Sequence, residues 1–375
     1  MKRTAIIMAG GSGERFWPLS RKTKPKQLLN LETDKTMLEQ SIERISPLIA
    51  PHDIFIITSE VLLDPIRNAL PMLPPENVFA EPYKRNTAPC LALAAAFIKA
   101  KYSNEFKPEE ISIAVLTADQ SIRPVDGFIA TVDSALNYVE SQNALGTIGI
   151  PPSRPETGYG YIEVSENFDS SSKSPEIKPV LKFHEKPELE KAKRYAESGS
   201  FLWNSGMFFW RLDTFCDNLI KCLPDVGNQI ETMTESLTSQ TSIIHTTALK
   251  AVDAIYLAFP DISIDYGLME KAPSVVVARA LFDWDDIGSW DSLDRIKQSD
   301  ENGNIIQGQS ALHNVKNTTI VNQSSNSNII VSAIGLEDFV IVVTDDAVLV
   351  TPKSQVQDVK KCVELIRSNN GAKWL

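Results

Sequence analysis

Over roughly the first 290 residues, short continuous apolar runs alternate with stretches whose apolar positions recur at helical spacing. Thr4–Ala9 reads as a buried strand, ended by glycines. Thr36 and Glu39 form a capping box that starts a helix running to about Ser46, before Pro47. Strands are predicted at Ile54–Thr58, Val78–Ala80, Ile111–Leu116 and Gly146–Ile150, and helices at Glu60–Leu70, Thr87–Lys101 (capped by Asn86) and Gly127–Ser141. Such alternation predicts an α/β, Rossmann-like domain, a mainly parallel sheet with helices on both faces.

Farther along, Glu166–Pro179 is rich in Ser, Asp and Pro and reads as a surface excursion. Val180–Phe183 resumes an apolar run, Pro187–Ser198 is helical in pattern, and Thr232–Thr247 is polar with no clear element. After Arg295 the character changes. Val315–Val321, Asn328–Ala333, Phe339–Thr344 and Ala347–Thr351 are short β-type runs, and Gln355–Ser368 reads as a closing helix. A boundary near residue 300 therefore separates a catalytic domain, 1–300, from a small β-rich module, 301–375, of β-helix or stacked-hairpin kind.

Composition narrows the function. The chain is 43% hydrophobic and 23% charged, which argues against wholesale disorder. No apolar run reaches the roughly 18 residues of a membrane helix, and the run after Met1 is too short for the core of a secretory leader. Cys90, Cys216, Cys222 and Cys362 form no CxxC pair, and His52, His184, His245 and His313 lie far apart. A disulfide framework or structural zinc site is thus not expected, and a reducing cytoplasm is the expected setting. A net charge of −11 disfavours nucleic-acid binding. It leaves room for an anionic small molecule where cations gather.

They gather once, around Gly10-Gly11-Ser12-Gly13-Glu14-Arg15, directly after the first strand, with Arg21, Lys22, Lys24 and Lys26 following. Glycines let successive backbone amides surround phosphate oxygens, and the adjoining cations attract polyphosphate. Gly-Lys, which a Walker A loop requires, occurs nowhere in the chain. Phe16 stands where the dinucleotide fingerprint needs its third glycine, which removes the dehydrogenase reading. Asp119, after an apolar strand, and Asp286, in an Asp-Ile-Gly-Ser turn, are carboxylates of the kind that suit magnesium. Asp285 is a rival to Asp286.

The segment Ala9–Gln27, with Phe16-Trp17-Pro18-Leu19-Ser20 and Pro25-Lys26-Gln27, resembles the signature loop of the sugar-1-phosphate nucleotidyltransferases. Glu81-Pro82, Arg85-Asn86-Thr87-Ala88-Pro89, Thr117-Ala118-Asp119-Gln120, Thr157-Gly158-Tyr159-Gly160-Tyr161, Phe183-His184-Glu185-Lys186-Pro187, Trp203-Asn204-Ser205-Gly206, Ser263–Lys271 and Trp284–Trp290 continue the resemblance in order. The chain is most similar to the branch of that family that couples GTP to mannose 1-phosphate, in a short form without the appended isomerase domain. The resemblance implies GMP transfer, with GDP-mannose and pyrophosphate as products and Mg2+ as cofactor. It assigns the β- and γ-phosphates to the glycine loop and Arg15, the α-phosphate to Lys26, and the metal to Asp119 and Asp286. For the nucleotide it adds Ala9, Gly10, Gly11, Ser12, Gly13, Glu81, Arg85 and Asn86; for the sugar phosphate, Gly160, Glu185, Lys186 and Asn204. Tyr159 and Trp203 either pack or touch the sugar, and His184 is read as non-catalytic because the attacking phosphate is already ionised. Another hexose 1-phosphate, or a catalytically silent subunit of the same fold, are the alternatives. A homodimer is the expected assembly.

Overall fold

A computed structural model describes residues 1–169, 171–238, 246–325, 329–369 and 371–375. Ser170, inside the predicted excursion, His245 with the rest of 239–245, inside Thr232–Thr247, and Asn328, at the head of one predicted β run, lie outside the described residues. The chain forms two compact units. The first takes Met1–Ala9, Ile42–Thr117 and Ile122–Asp283; the second takes Gly10–Ser41, Ala118–Ser121 and Trp284–Leu375.

The strands are, in order, β1 (Lys2–Met8), β2 (Ile54–Ser59), β3 (Val78–Glu81), β4 (Ile111–Thr117), β5 (Ser121–Arg123), β6 (Leu145–Ile150), β7 (Tyr161–Val164), β8 (Ile177–His184), β9 (Phe201–Arg211), β10 (Val275–Arg279) and β11 (Asp283–Asp285). Nine of them form one sheet in the order β3-β2-β1-β4-β9-β6-β10-β8-β7. β1 runs parallel to β2 and β4, and β2 to β3, as the continuous apolar runs predict; β10 runs parallel to β6. The eleven-residue β9, which carries the Trp203–Met207 motif, lies antiparallel between β4 and β6. β8 begins at Ile177, so the end of the predicted excursion is strand, and Pro179 pairs with Val276.

Helices α1 (Met37–Ile45), α2 (Glu60–Ala69), α3 (Thr87–Tyr102), α4 (Val125–Ser141), α5 (Leu189–Ser198), α6 (Leu212–Cys222), α7 (Pro224–Gly227), α8 (Ile230–Thr238) and α9 (Thr246–Leu257) are interleaved. The capping box is present: Thr36 N–H donates to Glu39 Oε2 at 2.7 Å and Glu39 N–H to Thr36 Oγ1 at 3.2 Å. The α3 segment is Ala-rich and apolar on every side, the pattern of a helix enclosed by protein. It is buried among Ile6, Phe55, Phe79, Phe208 and residues of α6–α9. Ala5, Ile7, Ile54 and Ile56, the alternate positions of the same strands, are buried as well, so both sheet faces are covered.

In the second unit, β12 (Ile305–Gln307), β14 (Thr319–Asn322) and β16 (Phe339–Val343) stack in parallel, with β17 (Val348–Pro352) antiparallel on β16. β13 (Ser310–His313) and β15 (Val331–Ile334) form a second parallel ladder. This is a short β-helix whose first two strands, β12 and β13, the hydrophobic pattern misses. Asn314, Asn317 and Asp338 turn its corners at φ of 54°, 44° and 61°, a conformation that Asn and Asp tolerate. Helices α10 (Leu293–Ile296) and α11 (Val359–Ser368) complete the unit.

The compact unit that holds the tail strands, whose last segment runs from Trp284 to Leu375, also takes in the glycine-rich segment within Gly10–Ser41. The reason is a shared core. Phe16, Trp17, Leu29 and Leu31 pack with Ile287, Trp290, Val340, Val342, Leu349 and Val363. Trp290 Nε1 donates to Trp17 O at 3.1 Å, Trp17 Nε1 donates to Trp374 O at 2.8 Å, and the Phe16 and Trp290 rings are 5.0 Å apart. Trp290→Ala empties the centre of this core and is expected to cost about 3–5 kcal/mol in urea unfolding. Stability within about 1 kcal/mol of the wild type would show that the core tolerates the loss.

Candidate active site

The second unit assembles the predicted phosphate-binding residues. Gly10, Gly11 and Ser12 are exposed, and nothing lies within 4 Å of where a Cβ on Gly11 would be. Gly13 has φ +59°, and a Cβ there would lie 2.4 Å from Lys26 Cβ and 2.8 Å from Lys26 N. Only glycine lets the loop rest on Lys26 in this way. Phe16 N–H donates to Gly13 O at 2.9 Å, closing the turn that carries Arg15. Arg15 is half-buried, and its Nε has no hydrogen-bond partner among the described residues.

Lys26 is 6% exposed, and its ammonium donates to Asp119 Oδ2 at 2.9 Å and to the Asp286 carbonyl at 2.6 Å. Asp285, the rival carboxylate, is buried: Arg295 Nη2 donates to its Oδ1 at 3.0 Å and Arg295 Nε to its Oδ2. Ile287 N–H also donates to Asp285 Oδ1, at 2.9 Å. Asp285 thus anchors the turn that presents Asp286. The five cations of the sequence cluster do not act as one patch. Arg21 pairs with Asp346 at 2.8 Å and lies over Trp17, while Lys22 and Lys24 are exposed.

The first unit assembles the predicted sugar-phosphate residues. Asn204 N–H donates to Gly160 O at 2.8 Å, and a Cβ on Gly160 would lie 3.2 Å from Glu185 Oε2, so these three residues are neighbours. Lys186 Nζ is 3.2 Å from Glu185 Oε1. A cavity of about 600 Å³ is lined by Asn86, Glu185, Lys186, Ser263, Asp265 and Tyr266, among others. It thus takes in Asn86, expected with the nucleotide set. Asn86 sits at φ 66°, where its Oδ1 accepts from Thr87 N–H at 2.9 Å and caps α3.

Sequence reasoning assigned no role to Asp265. Asn204 Nδ2 donates to its Oδ1 at 2.8 Å, on a single π-helical turn, Asp265–Met269, of a kind frequent at functional sites. The Ser263–Lys271 motif was the available signal. Trp203 is buried against Tyr159, ring centroids 5.3 Å apart, with the Arg154 guanidinium over it; both aromatics pack. His184 Nε2 is 2.7 Å from Glu163 Oε2 and ties β8 to β7, a structural contact.

Ala9 directly follows β1, its N–H donating to Ile57 O at 2.8 Å and its carbonyl accepting from Thr58 Oγ1 at 2.9 Å. Glu81 Oε2 accepts from Tyr256 Oη at 2.8 Å, and Arg85 Nη2 donates to Leu257 O at 2.7 Å. The sequence carries no motif that marks Tyr256.

A nucleotidyl transferase family model matches residues 4–303, and a mannose-phosphate isomerase/GMP-like β-helix domain model matches 317–366. The chain belongs to the nucleotidyl transferase family. It is 38% identical to a mannose-1-phosphate guanylyltransferase of Salmonella montevideo over 98% of this chain and 74% of that one. A mannose-1-phosphate guanylyltransferase of Escherichia coli K12 is 37% identical over 97% of this chain and 73% of its own length. A crystal structure described as mannose-1-phosphate geranyltransferase from Thermus thermophilus superimposes with a TM-score of 0.82 at 28% identity, covering 98% of this chain and all of that one.

Nucleotidyl transferases generally use a divalent metal. Asp119 and Asp286 fit one: both carry hard carboxylate oxygens, and the Lys26 ammonium meets the Asp119 carboxylate and the main-chain carbonyl of Asp286. No cluster of three or more His, Cys, Asp or Glu side chains suited to a metal occurs among the described residues. Two protein carboxylates fit a cation that takes the rest of its shell from phosphate and water.

Burial holds the Asp265 carboxyl above the usual carboxylate range. The Asn204 amide and the Lys186 charge oppose this, while Glu185 adds to it. The folded state therefore binds this proton more tightly than the unfolded state. The stability it contributes is full below the unfolded pKa and is lost as pH rises through the folded one. Asp265→Asn cannot ionise, so its melting temperature relative to wild type should be higher at pH 7 than at pH 4, while kcat/KM falls. A melting difference independent of pH, or larger at pH 4, would contradict the assignment.

Proposed function

We propose that this protein transfers GMP from GTP to mannose 1-phosphate. An oxygen of the sugar phosphate attacks the α-phosphorus in line, the bond to the β-phosphate oxygen breaks, and GDP-mannose and pyrophosphate result. The observation that carries the reading is the buried Lys26 ammonium, held between Asp119 and the Asp286 carbonyl, beneath a glycine loop that rests on its backbone. The printed activities of the guanylyltransferase relatives support the choice of base and sugar.

Phosphoryl chemistry of this kind demands positioning and charge neutralisation more than covalent work. Amides of Gly10–Gly13 and the Arg15 guanidinium hold the β- and γ-phosphates and stabilise the departing pyrophosphate. Lys26 takes the α-phosphate, where charge redistributes in the transition state. Asp119 and Asp286 would hold Mg2+, which would supply neutralisation of phosphate charge. Glu185, Asn204 and the Gly160 backbone take sugar hydroxyls, and Lys186 takes the sugar phosphate. Glu81, Arg85, Asn86 and the backbone at Ala9 read the base. No general base is required, because the nucleophile is already an anion.

Residues 1–300 form the catalytic region in this reading, and 301–375 a module for packing and assembly. Ile334, Val348 and Val350, exposed on the tail strands, support self-association as a homodimer. A cytoplasmic setting fits four free cysteines and phosphorylated substrates. No helix among the described residues is long and apolar enough to cross a membrane.

The test is pyrophosphate release over a grid of nucleoside triphosphates and hexose 1-phosphates. GTP should exceed ATP and UTP in kcat/KM by roughly 10⁴, since the wrong base leaves buried polar groups unpaired. Mannose 1-phosphate should exceed glucose 1-phosphate by a smaller factor, because one hydroxyl orientation distinguishes them. Equal use of UTP would refute the guanylyl assignment, and no turnover of any pair would favour a silent subunit.

Lys26→Ala should lower kcat by about 100-fold or more with little change in the KM for nucleotide. A rise in KM alone would make Lys26 a ground-state binding residue and require a different mechanism.

A further inference from the structure

Glu81 ends β3, and its carboxylate is not left to orient itself. The Tyr256 hydroxyl, on a side chain with no solvent exposure near the end of α9, donates to Glu81 Oε2 at 2.8 Å. The Arg85 guanidinium fastens the same helix end from the other side, Nη2 donating to Leu257 O at 2.7 Å. Glu81 Oε1 accepts no hydrogen bond from the described residues, and Arg85 Nε is buried without a partner among them. One carboxylate oxygen is therefore fixed by a buried donor while the other keeps its acceptor capacity.

We propose that Tyr256 is a positioning residue for base selection: by holding one oxygen of Glu81, it aims the other at the N1–H and 2-amino donors on the pairing edge of guanine. A carboxylate offers about four lone-pair positions, so accepting from Tyr256 leaves enough for both donors. Adenine lacks the 2-amino group and presents an acceptor at N1, which the same carboxylate repels. A freely rotating glutamate would lose rotamer freedom on meeting the base, and a pre-oriented one loses less. The inference rests on the nucleotide role proposed for Glu81.

The surroundings give this a pH signature. Burial pushes the Glu81 carboxyl above its ordinary range, and the Tyr256 hydrogen bond and the Lys84 charge pull it back. The groups around it are Tyr256 from α9, Cys90 from α3, and Lys84 and Arg85 from the loop after β3. Loss of the Tyr256 donor should let the carboxyl protonate at higher pH and so fail to accept from guanine sooner on acidification.

ITP, which lacks only the 2-amino group, reports on this contact. Dissociation constants and kcat/KM for GTP and ITP would be compared in the wild type, Tyr256→Phe, Glu81→Gln and the double variant, with melting temperatures for each. The wild type should favour GTP by about tenfold or more, the scale of one hydrogen bond to a charged group. Glu81→Gln should abolish that preference. Tyr256→Phe should cut it by about threefold or more and move the acidic limb of kcat/KM for GTP to higher pH. The double variant should fall no further than Glu81→Gln. 3,5-Difluorotyrosine at position 256, nearly isosteric and a stronger donor, should move the acidic limb to lower pH and covers the case in which Tyr256→Phe does not fold.

A Tyr256→Phe protein with native melting, unchanged GTP-to-ITP preference and an unmoved acidic limb overturns the inference while leaving Glu81 as base reader. An unchanged preference in Glu81→Gln overturns it also, since Tyr256 would then position nothing. Failure of the proposed function would appear differently, as no GDP-mannose from the wild type whatever the GTP-to-ITP ratio in binding.

Discussion

A buried ammonium organises the second unit. Lys26 is almost wholly removed from solvent, and a charge in that position is costly unless it is paired and hydrogen-bonded. Its two partners come from 93 and 260 residues away along the chain. Gly10–Ser41, Ala118–Ser121 and the segment from Trp284 must therefore meet for Lys26 to be satisfied, and they do meet in one compact unit. Gly13 follows from the same constraint, because any side chain there would collide with Lys26. The ammonium that costs so much to bury is thereby held in place ahead of the phosphate contact proposed for it. Such preorganisation is what makes a fixed charge effective in catalysis.

Apart from the β-helix corners, the positive-φ residues other than glycine lie where the chemistry is proposed. Asn86, Lys186 and Ile287 have φ of 66°, 35° and 43°, each in or next to a candidate site residue. For Ile287, β-branched and fully buried, this is a true outlier. Local contacts hold Asn86 and Ile287 against the strain. Asn86 caps α3, and Lys186 precedes the buried Pro187. Ile287 N–H is fixed by Asp285, which Arg295 grips. Strained backbone persists only when its surroundings over-determine it, and it tends to mark ligand sites. Here it fixes the directions of Asn86, Lys186 and the neighbouring Asp286.

The sequence made legible those features that rest on local rules. Strands β1 to β4, the Thr36–Glu39 box and the Asn86 cap were readable because apolar runs and capping hydrogen bonds are local in the chain. The glycine loop, Lys26, Asp119 and Asp286 were readable as motifs. What escaped depends on distant partners. β9 was read as a sugar-site motif, yet its antiparallel place between β4 and β6 is set by tertiary pairing. Asp265 and Tyr256 gain meaning only from Asn204 and Glu81, which lie 61 and 175 residues from them. Asp286 was preferred to Asp285 only by its place before Ile-Gly-Ser, and the Arg295 pair distinguishes the two in space.

The tail module is harder to call accessory once its core is considered. Phe16 and Trp17, the residues directly after the phosphate loop, are buried against side chains of β14, β16, β17 and α11. Glu14 pairs with Arg367 at 2.9 Å, Arg21 with Asp346, and Lys22 N–H donates to Leu375 O at 2.8 Å. The loop has little apolar surface of its own beyond those two aromatics, so its conformation is set by the surface on which they rest. A glycine-rich segment is intrinsically loose, and it can present ordered amides to phosphate only if its flanks are fixed. On this reading the β-helix supplies no catalytic group and still determines catalytic geometry. Its buried Val340 and Val342 share one core with Phe16 and Trp17, the residues that fix the loop's trailing flank.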